Sequence, residues 1–205
     1  MIRKASIIVA LMVAVVGPAA LPGPDTDPYN GVLVVFAGGG QGSCSVVAFH
    51  EGWWYAATAR HVVEDWDGNL VTDMTVDDGD YPAEVVSVSN EQDVALIRFK
   101  SPEQYRTYKF GRVDLGDEVW TVGYSRGAKL VYRGYVVSKD FDGCLAANGG
   151  VVPGCSGGAL LDESGRLVGV TVALPVYGFM GFDSTSMSVP IKYAEALLLT
   201  AIGEI

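Results

Sequence analysis

The chain predicts an all-β fold, and three observations carry that prediction. From Gly31 onward, short runs rich in Val, Ile, Tyr, Phe and Trp alternate with Gly, Asp, Asn and Pro turn signals. Apolar residues make up 49% of the chain, and 26 of its 205 residues are glycine. That composition builds a turn-rich globular core rather than a disordered chain. Only Ile191 to Ile202 spaces its apolar residues as a helix does, with Lys192 and Glu195 turned outward. Short strands in this rhythm belong to sandwiches or barrels, and the length allows one unit or two small barrels sharing a core.

The elements follow in order. Met1-Ile2-Arg3-Lys4 is basic, Ala5 to Gly17 is apolar, and Pro18-Ala19-Ala20 offers small residues for cleavage. This reads as a secretory signal peptide over residues 1–20, because a spanning helix needs about 20 apolar residues. Contact with a membrane is then transient, and the mature protein is secreted or periplasmic. Leu21 to Asn30, with three prolines and two aspartates, reads as an exposed linker. The first group of strands is Gly31–Ala37, Ser43–His50, Trp53–Ala57, Thr72–Val76, Ala83–Ser89 and Val94–Phe99. A polar, proline-containing crossover runs from Ser101 to Gly111. The second group is Glu118–Gly123, Lys129–Val137, Ala159–Asp162, Leu167–Ala173 and Met187–Val189, followed by the helix.

One segment concentrates chemistry. Gly154-Cys155-Ser156-Gly157-Gly158 crowds small residues around a hydroxyl at a turn, and a strand follows at once. Glycines let the backbone aim peptide N–H groups at a point, and a serine there can attack a carbonyl whose oxyanion those groups hold. Upstream, Thr58-Ala59-Arg60-His61 ends a strand-prone aromatic run, and Asp93 stands at the mouth of Val94-Ala95-Leu96-Ile97. His, Asp, Ser is one of the chain orders in which a catalytic triad occurs. The turn also fits the G-x-S-x-G elbow of α/β-hydrolases, but those enzymes place His after Ser, and no His follows Ser156.

Together these motifs resemble the chymotrypsin/trypsin superfamily of serine proteases, and within it the bacterial HtrA/DegP-type trypsin-like peptidase branch. The matching segments are Gly42-Ser43-Cys44-Ser45-Val46-Val47, Thr58-Ala59-Arg60-His61-Val62-Val63, Asp93-Val94-Ala95-Leu96, Gly116-Asp117-Glu118-Val119-Trp120, Pro153-Gly154-Cys155-Ser156-Gly157-Gly158-Ala159-Leu160 and Val189-Pro190-Ile191. The resemblance implies a double six-stranded antiparallel β-barrel with a short C-terminal helix. The first barrel would span residues 31–100, the crossover 101–111, and the second barrel with the helix 112–205. A protease domain alone is expected, without a PDZ-like domain.

The resemblance also implies roles. Ser156 would be the nucleophile, His61 the general base, and Asp93 the residue orienting the imidazole. The N–H groups of Gly154 and Ser156 would form the oxyanion hole. Protein or peptide would be the substrate, with no cofactor and no metal. The substrate pocket would lie between Gly150 and Val151 on one side and Thr171, Val172, Ala173 and Leu174 on the other. No acid lies there to attract Lys or Arg and no histidine to attract Glu, so a small or apolar P1 residue is expected. Digestive relatives carry an aspartate before the serine that pairs with a freshly cut amine. Cys155 cannot form that pair, so activation by this route is not expected. A catalytically silent protease fold kept for binding is the alternative.

Other features carry duller expectations. The formal charge of −10, or −12 once Arg3 and Lys4 are removed, argues against nucleic acid, which needs clustered cations. Three cysteines leave at least one unpaired. Cys144 and Cys155 flank a glycine-rich loop, Leu145 to Gly154, and either close it as a disulfide or stay thiols. Cys44 would be a small buried strand residue. Trp53, Trp54 and Trp120 are expected in the core and His50 at the surface. Asp65, Asp67 and Asn69 resemble the start of a calcium loop but lack its glycine position and later acid. The sequence does not fix the oligomeric state.

Overall fold

A computed structural model describes residues 27–141, 143–172 and 185–203. Six strands form the first closed barrel: β1 (Val32–Ala37), β2 (Gly40–His50), β3 (Trp53–Thr58), β4 (Met74–Val76), β5 (Tyr81–Val88) and β6 (Ala95–Phe99), joined in the order β1-β2-β3-β6-β5-β4. Six more form the second: β7 (Glu118–Ser125), β8 (Ala128–Phe141), β9 (Cys144–Ala147), β10 (Ala159–Asp162), β11 (Leu167–Val172) and β12 (Ser186–Pro190), in the order β7-β8-β9-β12-β11-β10. Neighbours pair antiparallel throughout. The expected double six-stranded barrel is therefore the observed fold.

Strands β1, β3 and β6 lack a polar alternate face because both of their faces are covered, whereas β5 and β8 keep an exposed one. On β1, Leu33, Val35 and Ala37 fill the first barrel while Val32 faces the core shared by the two barrels. On β3, Trp54 and Ala56 point in, and Tyr55 and Ala57 point to the shared core. β6 repeats the pattern with Ala95, Ile97 and Phe99 against Leu96. The period of two is intact, but it separates two interiors rather than inside from water.

The C-terminal helix α1 (Lys192–Ile202) buries Ala194 and Leu198 and packs against β12 and against β5 and β6 of the other barrel. It ends at Gly203, whose left-handed φ of 77° lets its N–H reach the carbonyl of Leu199.

The structure corrects the sequence reading at several places. Cys144–Ala147, read as part of a glycine-rich loop, is the fully buried β9, paired with β8 and β12. Trp54 is core, but Trp53 and Trp120 are only half-buried. The Trp53 ring instead meets the cations of Arg98 and Lys100, 4.5 and 4.4 Å from its centre. His50 is half-buried, 4.0 Å from Glu51. Cys44 is fully buried, as expected. Cys144 and Cys155 are not joined, and no disulfide forms among the described residues. Asp65 turns its carboxylate onto its own turn, accepting from the N–H groups of Asp67 and Asn69. Residues 1–26 lie outside the described residues, and with them the signal peptide and most of the linker.

Candidate active site

The turn from Gly154 to Gly158, which carries the expected nucleophile Ser156, is held from three directions. Thr171 of β11 backs it, its carbonyl accepting from the Gly157 N–H at 2.7 Å and its N–H donating to the Gly158 carbonyl at 2.8 Å. Within the turn, Cys155 N–H donates to the Val152 carbonyl and Gly158 N–H to the Cys155 carbonyl. From the first barrel, Ser43 N–H donates to the Ser156 carbonyl at 2.7 Å, and Ser43 Oγ donates to the Gly154 carbonyl at 2.8 Å.

Two glycines are obligatory here. Gly154 and Gly157 hold φ values of 97° and 87°, a region closed to most side chains. A Cβ on Gly157 would stand 1.9 Å from the Ser43 carbonyl oxygen, and one on Gly154 2.6 Å from that of Tyr124. Backbone of β2 at Gly157, and of β7 at Gly154, thus passes too close for any other residue.

His61 and Asp93 come from the rim of the first barrel. β3 ends at Thr58, and Arg60–Val62 forms one 3-10 turn that presents His61. Asp93 stands just before β6. One of its carboxylate oxygens accepts the His61 backbone N–H at 2.9 Å, and the other lies 2.6 Å from Nδ1 of the same residue. Asp93 therefore holds His61 at its backbone N–H and at one ring nitrogen, which orients the imidazole and leaves Nε2 outside that pairing. His61 and Ser156 line one cleft of about 620 Å³.

The hydrogen bond from Asp93 raises the His61 pKa; burial opposes it, and the charges of Asp93 and Glu64 reinforce it. For Asp93, burial would raise the carboxyl. The hydrogen bond and charge of His61, with the backbone N–H groups of His61 and Arg60, outweigh that and hold it below the ordinary range.

A sequence profile described as a trypsin-like peptidase domain matches residues 42–170, the stretch that carries His61, Asp93 and Ser156. The chain belongs to that family. A probable periplasmic serine endoprotease, DegP-like, from Chlamydia pneumoniae is 30% identical over 157 residues, 70% of this chain and 31% of the relative. Its counterpart from Chlamydia trachomatis is 29% identical over 163 residues, 73% of this chain and 32% of the relative. The chain thus spans about a third of the length of the curated relatives it matches. Among solved structures, the serine endoprotease from Yersinia pestis superposes with a TM-score of 0.70 at 19% identity, covering 86% of this chain and 64% of that one. An inactive mutant of Rv3671c from M. tuberculosis H37Rv gives 0.67 at 20% identity, covering 86% and 88%. These similarities agree with the HtrA/DegP-type branch.

In this trypsin-like peptidase domain the remaining predicted site residues fall as follows. Gly150 and Val151 are half-buried, and a Cβ on Gly150 would stand 3.0 Å from the Tyr132 ring. Thr171 and Val172 are fully buried. Thr171 supports the nucleophile turn through its backbone, and Val172 belongs to the core between the barrels. Ala173 and Leu174 lie outside the described residues. Cys155 is buried under the turn, and burial pushes its thiol pKa up, away from the thiolate a nucleophile needs.

The sequence reading missed Ser43 and Thr58. Both are fully buried, and Thr58 Oγ1 donates to the Ser43 carbonyl at 2.7 Å. Ser43 Oγ also accepts from the Tyr124 N–H at 2.8 Å. The signal was present in the motifs, as hydroxyls on strands whose neighbours are all apolar or small.

Proposed function

We propose that the protein is an exported serine endopeptidase of the HtrA/DegP type that cuts polypeptides through an acyl-enzyme. The doubly gripped His61–Asp93 pair, sharing its cleft with Ser156, carries this reading. His61 Nε2 takes the proton of Ser156 as Oγ attacks the scissile carbonyl, and returns it to the departing amine. Asp93 holds the tautomer that makes this possible and favours the imidazolium between the two transfers. The oxyanion sits against the N–H groups of Gly154 and Ser156, and one such donor is worth about 3 kcal/mol of barrier. Water then attacks the acyl-enzyme by the same relay. The chemistry needs no metal or cofactor.

Export follows from the basic and apolar stretch of residues 1–20. The periplasmic location in the names of the relatives supports it. Among the described residues no helix is long and apolar enough to cross a membrane. A small or apolar P1 residue suits a pocket base of Gly150 and Val151, where no charge stands. The test is hydrolysis of unfolded casein together with labelling by a fluorophosphonate. Ser156→Ala should abolish both, and persistence of either in that variant rejects the assignment.

A further inference from the structure

The nucleophile turn borders a second cavity. It encloses about 550 Å³ beside Gly154 and is walled by Tyr132, Val152 and Pro153, with Arg126 and Gln41 also lining it. Gln41 belongs equally to the cleft of His61 and Ser156, so the two spaces meet at its side chain. Gln41 Nε2 is buried and has no hydrogen-bond partner among the described residues. It lies 3.4 Å from where a Cβ on Gly154 would be. A buried amide donor left in this way calls for an acceptor, which a water or a ligand group reaching the cleft can supply.

The second donor is Arg126. It is exposed on the β7–β8 turn and, like Lys100, Arg106, Lys109, Arg112 and Lys192, forms no ion pair among the described residues. No carboxylate lines the cavity. A lysine entering it would meet the guanidinium, and a leucine would leave the Gln41 amide buried and unpaired. An Asp or Glu side chain satisfies both donors, while its methylenes lie against Tyr132, Val152 and Pro153.

Position says which part of a substrate arrives here. β11 covers the turn at Gly157 and Gly158, and Gln41 covers it at Gly154. The amine released on acylation must collect its proton from His61, so the chain beyond it leaves through the His61 cleft, which Gln41 borders. We propose that this cavity is a subsite for an acidic residue on the leaving-group side of the scissile bond, with Arg126 and Gln41 as its specificity-determining residues. The proposal rests on the catalytic reading above.

The experiment uses quenched fluorescent peptides that share one acyl half and carry Glu, Gln, Leu or Lys at each of the first three positions after the cut. Glu at one of these positions should raise kcat/KM about tenfold over Gln. The ratio should collapse toward one in Arg126→Ala, return in part in Arg126→Lys, and invert in favour of Lys in Arg126→Glu. Gln41→Leu should shift preference from Glu and Gln toward Leu. Equal cleavage of all four peptides by the wild type, or a Glu preference unchanged in Arg126→Glu, overturns the subsite and leaves the catalytic reading standing. Cleavage of none overturns the catalytic reading and the subsite with it.

Discussion

Ser43 Oγ stands 2.8 Å from the carbonyl oxygen of Gly154, donating to it across 111 positions of chain. Ser43 Oγ also accepts the Tyr124 N–H at 2.8 Å, so one hydroxyl ties β2 of the first barrel to β7 and the Gly154–Gly158 turn of the second. Ser43→Ala removes both bonds in a buried place. We expect kcat to fall by ~10–100-fold and folding stability by about 1–3 kcal/mol, the cost of unpairing buried backbone groups. Steady-state kinetics on material titrated with a fluorophosphonate, with urea unfolding, checks both. Unchanged kcat would show that the turn holds its shape without the hydroxyl.

Gly157 and Gly116 offer a controlled pair. Both have left-handed φ, 87° and 88°, but a Cβ on Gly116 meets nothing within 4 Å while one on Gly157 collides with the Ser43 carbonyl. Gly116→Ala should cost about 1–2 kcal/mol, the price of the dihedral alone. Gly157→Ala should cost several kcal/mol more and abolish hydrolysis. Similar midpoints for the two variants in denaturant would refute the steric account.

The His61–Asp93 pair sets a pH signature. Only neutral His61 can act as base, and its pKa is raised from the ordinary 6.5. Activity should therefore rise with pH through a midpoint above 6.5. Asp93→Asn removes the main cause of that rise, so the midpoint should move down as kcat drops, and a pH–rate profile reads both.

Stability should move in a complementary way. The raised His61 pKa contributes stability that is full below 6.5 and fades as pH climbs through the folded value. The lowered Asp93 pKa contributes above 3.8 and fades as pH falls through its own folded value. The two overlap between about 4 and 6.5, where the wild-type Tm should exceed that of Asp93→Asn by the widest margin. Tm curves that run parallel across this range would argue against the coupling.

Cys155 sits where digestive relatives keep an aspartate. A chain beginning at Leu21 should therefore be active as made, with no further cut at its N-terminus. With the cysteines as thiols, reducing agent should leave activity and Tm unchanged. Cys155→Asp should destabilise the fold by several kcal/mol, since it places a carboxylate in a buried site. Activity assays with and without dithiothreitol, and mass spectrometry of the active species, decide these points.

The triad candidates were legible because their chemistry demands residue types that strands otherwise avoid. His61, Asp93 and the glycine-flanked Ser156 stand out against apolar neighbours. β9 was not legible: Cys144, Leu145, Ala146 and Ala147 have little strand signal, and they run into Asn148-Gly149-Gly150. Their extended shape is imposed by β8 and β12 on either side. Ser43 was quoted as part of a motif, yet its task depends on groups far along the chain. Trp53 followed the strand pattern, but the cations of Arg98 and Lys100 claim its ring at the surface.

Helix α1 bears on when the proposed active site is complete. It is made after every strand, yet it packs on β5 and β6, in the barrel made first. His61 and Asp93 belong to that early barrel and Ser156 to the late one, so the three meet only when the halves are seated together. On the proposed mechanism, a polypeptide still being synthesised therefore holds its base and its orienting carboxylate before its nucleophile has a place to stand.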